Sequence, residues 1–140
     1  MAEKYYFDTC IWRDHYEARL SLSGKPLGEY ASKLFAKIIK DKDILLFSDL
    51  IVNELKIGFD EEEINNMLNI LFVSGILKKV DINKEDFQKA KRIGNERNLP
   101  TGDVLHAIIA AKNNAILVSQ DKHIQELQDI VKIKKPEQII

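Results

Sequence analysis

Lys4-Tyr5-Tyr6-Phe7-Asp8-Thr9 decides the reading of this chain. Its aromatic, apolar run reads as a short buried strand, and it stops on a carboxylate with a hydroxyl beside it. A parallel sheet takes apolar residues along such a strand and presents reactive groups at its carboxyl end, where crevices form. Asp also caps helices and starts turns, so Asp8 alone carries little. Three further acids, Glu54, Asp103 and Asp121, stand at comparable edges.

Outward from that strand, short apolar runs alternate with longer helical patterns. Cys10 to His15 leaves the strand, and Ser21-Leu22-Ser23-Gly24 reads as a break. Pro26 suits the first turn of a helix whose stripe is Leu27, Tyr30, Leu34 and Ile38, widened by Ala31, Phe35 and Ile39. After a turn at Asp41-Lys42-Asp43, Ile44 to Phe47 reads as a second buried strand. Ser48 is placed to cap the next helix, with Leu50, Ile51 and Leu55 inward. Asp60 with Glu63 resembles a capping box for a helix carrying Ile64, Leu68, Leu71 and Phe72, closed by Gly75. Leu77 to Ile82 reads as an edge strand.

A polar helix follows from Asn83 to about Asn98, striped by Phe87, Ala90 and Ile93. Leu99 to Gly102 breaks it, and Asp103 opens an apolar helix through Val104, Leu105, Ile108, Ile109 and Ala111. Ala115 to Ser119 is the clearest strand; a helix to about Gln128 and a strand near Val131 to Ile133 complete the chain. The alternation predicts an α/β fold with a mainly parallel sheet between helical layers.

At 140 residues the chain is expected to form one domain spanning 1–140, with 45% apolar and 31% charged residues, as in ordinary globular proteins. The net charge of −1 supplies no overall basic field, so a nucleic acid would need a local patch. Cys10 is the single cysteine, which excludes an intrachain disulfide and a multi-cysteine zinc site. No leader and no run of about 20 apolar residues is evident, so the expectation is a cytoplasmic protein with no membrane span.

On this map Asp8 ends the first strand, Asp121 follows the clearest one, and Asp103 lies in the first turn of the helix feeding it. Glu54 is three and four residues past Ile51 and Leu50, which turns it towards an apolar face where an unpaired carboxylate is costly. Each acid has an ordinary role available: a turn, a dipole-favoured helix start, a cap or an ion pair. Taken together, they converge if the first and fourth strands are neighbours. Crowded carboxylates raise one another's pKa unless a cation joins them, and hard oxygen ligands suit Mg²⁺ or Mn²⁺. Such an ion can activate water and stabilise a phosphodiester in transition.

Four segments, 7–12 (Phe-Asp-Thr-Cys-Ile-Trp), 48–55 (Ser-Asp-Leu-Ile-Val-Asn-Glu-Leu), 102–111 (Gly-Asp-Val-Leu-His-Ala-Ile-Ile-Ala-Ala) and 116–124 (Ile-Leu-Val-Ser-Gln-Asp-Lys-His-Ile), resemble PIN domains. The likeness is nearest to small members such as the toxin subunits of VapBC-type toxin–antitoxin pairs. It implies a five-stranded, three-layer α/β/α domain and a Mg²⁺- or Mn²⁺-dependent endoribonuclease. By that resemblance Asp8, Glu54, Asp103 and Asp121 match the metal-binding catalytic acids, while Thr9 and Ser119 match hydroxyls near the metal. Asn53, directly before the matching Glu, is a further supporting candidate. The resemblance also implies an RNA substrate, an antitoxin partner and a homodimer. Ser-Gln-Asp at 119–121 departs from the commoner Thr-x-Asp, and Ile124 stands where an aromatic is frequent.

Arg13, Lys89, Arg92 and Arg97 are candidate RNA contacts, with a packed loop or a solvated helix face as the ordinary account. His106 and His123 are assigned to packing, and Cys10 to a small buried residue without a histidine partner. A haloacid-dehalogenase-like phosphatase would want Asp-x-Asp after the first strand, where residue 10 is Cys. A receiver domain would want its acceptor Asp on a central strand, and no glycine-rich phosphate loop is present. An RNA-processing PIN nuclease outside a toxin system, or a non-catalytic PIN-like scaffold, stands as the alternative.

Overall fold

In the computed structural model, which describes residues 2–140, β1 (Lys4–Phe7) lies at the centre of a five-stranded sheet. It is flanked by β2 (Ile44–Phe47) and, on its other side, by β4 (Ile116–Val118). The order is β3-β2-β1-β4-β5, with β3 (Leu77–Lys79) and β5 (Ile133–Lys134) at the edges. All four pairings are parallel, so the expected mainly parallel sheet is parallel throughout its described strands. The chain runs from β1 out to β3 and then crosses to β4 and β5. That reversal puts a switch-point crevice at the carboxyl ends of β1 and β4. Register fixes it: Phe7 lies opposite Val118, and the Asp8 N–H donates to the Val118 carbonyl at 2.9 Å.

Alternation along β1 sorts the helices into layers, because neighbouring side chains leave a strand on opposite faces. Phe7 meets Trp12 of α1 (Thr9–Glu17) and stands edge-on to Phe35 of α2 (Leu27–Asp41), with ring centroids 5.0 Å apart in the second pair. Tyr6 turns the other way, to His106 of α6 (Thr101–Lys112), against which α5 (Lys84–Arg97) packs. The sheet thus lies between helices, and Tyr6, Phe7, Ile11, Trp12, Leu45 and Leu117 are essentially inaccessible in its core. No helix of the described residues is long and apolar enough to cross a membrane.

The connection after β1 differs from expectation. The charged letters Arg13, Asp14, His15 and Glu17 conceal α1, whose inner face is Thr9, Ile11, Trp12 and Asp14. Packing against α2 decides that conformation, and no long apolar stripe announces it. Ser48 precedes α3 (Asp49–Leu55) but does not cap it with its side chain; its hydroxyl turns inward to Tyr6 Oη at 2.7 Å. The Asp60–Glu63 capping box does form at the start of α4 (Glu61–Val73). Gly75 follows at φ 76°, a conformation that a residue with a Cβ adopts only under strain. The third strand stops at Lys79 rather than Ile82. Phe87, expected in the apolar stripe of its helix, is about half exposed. A short helix α7 (Lys122–Gln125) follows Asp121 and ends before Gln128.

Candidate metal centre

Four elements deliver the acids to one cleft. Asp8 follows β1 and precedes α1; Glu54 lies in the last turn of α3; Asp103 sits in the first turn of α6; Asp121 stands just before α7. With Thr9, Cys10, Arg13 and Ile57 they line a cleft of about 240 Å³.

Hydrogen bonds hold one oxygen of most of these carboxylates and leave the other available. Asp8 Oδ2 accepts from Ser119 Oγ at 2.9 Å and from the Cys10 thiol at 3.1 Å. Glu54 Oε1 accepts from Thr9 Oγ1 and from His106 Nε2, the second at 2.7 Å. Asp121 Oδ1 accepts from the His123 N–H at 2.7 Å and caps α7. Ser119 Oγ in turn accepts from the Asp121 N–H, which ties the Asp8 and Asp121 supports together. Asp8 Oδ1, Glu54 Oε2, Asp121 Oδ2 and both Asp103 oxygens have no hydrogen-bond donor among the described residues. Gly102 keeps space open beside Glu54, since a Cβ there would stand 3.2 Å from Oε2.

The crowding has an electrostatic signature. Burial and the neighbouring Asp121, Asp8 and Glu54 push the Asp103 carboxyl up to about 6, with His106 opposing. Burial also works against Glu54, yet hydrogen bonds from His106 and Thr9 and the charge of Arg13 outweigh it and lower its pKa. Burial likewise disfavours charge on His106, but the carboxylates of Glu54, Asp8 and Asp103 prevail and raise its pKa. The Cys10 thiol is driven well up by burial and by Asp8.

The donor set fits a hard divalent cation. Its available atoms are carboxylate oxygens from four elements, and a cation would remove the repulsion that perturbs Asp103. Ligand atoms of Asp8, Glu54 and His106 also lie within 4.8 Å of one another, with the imidazole hydrogen-bonded to Glu54.

The fold brings together Asp8, Glu54, Asp103, Asp121, Thr9 and Arg13, and buries Ser119 beneath them. It does not bring Asn53, which is exposed on α3 outside the cleft. Lys89 and Arg92 are exposed on α5, whereas Arg97 is engaged in a bidentate pair with Asp129 at 2.7 and 2.9 Å. His106, assigned to packing from the letters, is buried as expected but hydrogen-bonded to Glu54. The available signal was its spacing: three residues after Asp103, it shares that acid's helix face. Cys10 lines the cleft beside Asp8 rather than merely filling the core.

Fold and site define a class: a three-layer α/β/α domain with an acidic crevice at the switch point of a parallel sheet. The PIN domain family model matches residues 5–130, and the chain belongs to that family. Solved structures similar in fold include VapBC2 from Rickettsia felis bound to a DNA fragment from their promoter (TM-score 0.63, 17% identity, covering 94% of this chain and 98% of that one). VapBC-1 from nontypeable Haemophilus influenzae is comparable (0.62, 17%, 96% and 98%). FitAcB from Neisseria gonorrhoeae is another (0.60, 16%, 95% and 98%). No curated protein sequence matches the chain.

Proposed function

We propose that this protein is a Mg²⁺- or Mn²⁺-dependent endoribonuclease that hydrolyses RNA phosphodiester bonds, the toxin of a toxin–antitoxin pair. The observation that carries it is the convergence of four carboxylates from four elements on one cleft, each with at least one oxygen free of hydrogen-bond donors among the described residues. Asp8, Asp103 and Asp121, with Glu54 beside them, would hold the ion. When bound, such an ion lowers the pKa of a water and offsets charge on a phosphodiester in transition.

The chain's own residues do the rest. Ser119 fixes Asp8 by donating to Oδ2, and Thr9 fixes Glu54 by donating to Oε1. Arg13 reaches the cleft while its guanidinium donates to the Glu54 backbone carbonyl at 2.9 Å, leaving further N–H groups for a phosphate. Exposed Lys89 and Arg92 add candidate RNA contacts on α5. A covalent route has little support: the Cys10 thiol is held protonated beside Asp8, and a thiol is a poor nucleophile.

The VapBC and FitAcB likenesses support an antitoxin partner. Homodimerisation is proposed on an apolar groove of about 210 Å³ between α2 and α4, lined by Phe35, Ile39, Met67, Ile70 and Leu71.

Cleavage of a single-stranded RNA pool by the purified chain tests the reaction. Activity is expected with Mn²⁺ or Mg²⁺ and not with chelator. A folded Asp8→Asn variant should be slower by about 100-fold or more, as the loss of several kcal/mol of charge stabilisation requires. Unimpaired cleavage by that variant, or cleavage by the wild type in chelator, would refute the mechanism. A metal-loaded, folded wild type that cleaves nothing would favour the scaffold alternative.

A further inference from the structure

A chain of buried polar groups runs beneath the acidic cleft. Ser48 Oγ lies 2.7 Å from Tyr6 Oη, Tyr6 Oη 2.9 Å from His106 Nδ1, and His106 Nε2 2.7 Å from Glu54 Oε1. Ser48, Tyr6 and His106 are each at most 1% exposed. Ser48 stands at the N-cap of α3, yet its hydroxyl faces inward and does not cap. Each buried polar group is costly unless satisfied, so this chain holds its members in one arrangement.

The elements it joins are those that carry the acids. Tyr6 is on β1, which leads directly into Asp8; His106 is on α6, one turn beyond Asp103; Ser48 directly precedes α3, which carries Glu54 in its last turn. The imidazole does not line the cleft but lies under Glu54, with Nε2 3.6 Å from Asp8 Oδ1, beyond hydrogen-bond reach. Between them Thr9 and His106 claim Glu54 Oε1, so Oε2 is the oxygen left beside Gly102.

We propose that His106 is the positioning residue of this metal centre: its imidazole, oriented by Tyr6 and Ser48, fixes the Glu54 carboxylate in register with Asp8. The arrangement does not depend on the charge of the ring. In the neutral form Nδ1 accepts from the Tyr6 hydroxyl; in the charged form Nδ1–H donates to it, and Tyr6 donates on to Ser48. In both, Nε2–H donates to Glu54. Partners that orient a metal-binding carboxylate govern affinity strongly, on the order of 10–100-fold.

The inference rests on the metal-dependent reading above, and Mn²⁺ affinity by calorimetry separates the two. His106→Leu should weaken Mn²⁺ binding about 10–100-fold. His106→Gln, whose amide N–H can replace Nε2–H, should restore most of it. Tyr6→Phe, which keeps the core filled should His106→Leu not fold, should weaken binding about 3–10-fold, a part of that effect. Pulsed electron paramagnetic resonance of bound Mn²⁺ should show no directly coordinated nitrogen. Wild-type affinity in His106→Leu, a folded His106→Gln as weak as His106→Leu, unchanged affinity in Tyr6→Phe, or a coordinated imidazole nitrogen would each overturn the positioning role while leaving the metal centre intact. A wild type that binds no Mn²⁺ would overturn both.

Discussion

Asp103 is the residue on which the character of the site can be read without any substrate. Its folded pKa of about 6 stands above the reference of 3.8, through burial first and then Asp121 and Asp8. Between those values the native protein binds more protons than the unfolded chain, so this group's contribution to stability is full below the lower value. It is lost as pH rises through the higher one. Asp14, buried in α1, is also raised to about 6 and acts with the same sign. In chelator, Asp103→Asn should therefore gain in melting temperature over wild type as pH rises from about 4 to about 7, because it loses no favoured proton. Saturating Mn²⁺ should abolish that gain; the gain of Asp14→Asn should persist with Mn²⁺. A difference between Asp103→Asn and wild type that is independent of pH would count against the crowding. At this scale the acids were legible, because a carboxylate at the end of an apolar run or on an apolar face contradicts its surroundings. The role of His106 was not, since its partner Glu54 lies 52 residues away and nothing local records the contact.

Elements show why legibility varied along the chain. The three central strands β1, β2 and β4 and helix α6 announce themselves by apolar letters, and the capping box of α4 by Asp60 and Glu63. Helix α1 had no such announcement, because tertiary packing supplies its stability and its inner face includes Thr9 and Asp14. Asp121 combines an element's start with a place in the cleft, and the two roles can be separated. Its Oδ1 accepts from the His123 and Ile124 N–H groups, leaving Oδ2 for the site. Asp121→Asn keeps an acceptor for the cap but removes the charge; Asp121→Ala removes both. Denaturation should find Asn about as stable as wild type and Ala less stable by about 1 kcal/mol. Both should bind Mn²⁺ more weakly. Equal stability of Asn and Ala would deny the cap, and wild-type Mn²⁺ affinity in Asn would remove Asp121 from the site.

At the scale of the molecule, acidic cleft and apolar groove are separate surfaces that share no lining residue. The sequence shows two wide stripes, Leu27–Ile39 and Ile64–Phe72, but the width in excess of the sheet's need becomes visible only after packing. Leu34 and Ile38 of α2 are fully buried, while Ile39 remains 38% and Ile70 66% exposed on the walls of the groove. Apolar side chains gathered in one concave surface favour a protein partner over water. Ile70→Glu places a charge where a partner would bury it, yet the exposed position lets the monomer fold. We therefore expect a wild-type dimer at micromolar concentration by sedimentation, a monomeric Ile70→Glu, and equal Mn²⁺ affinity per chain. Loss of Mn²⁺ binding together with the dimer would mean that the groove supports the cleft after all. A wild type that sediments only as a monomer would refute the dimer and leave the groove to a different protein partner. A persistent Ile70→Glu dimer would place the two-fold contact elsewhere on the surface.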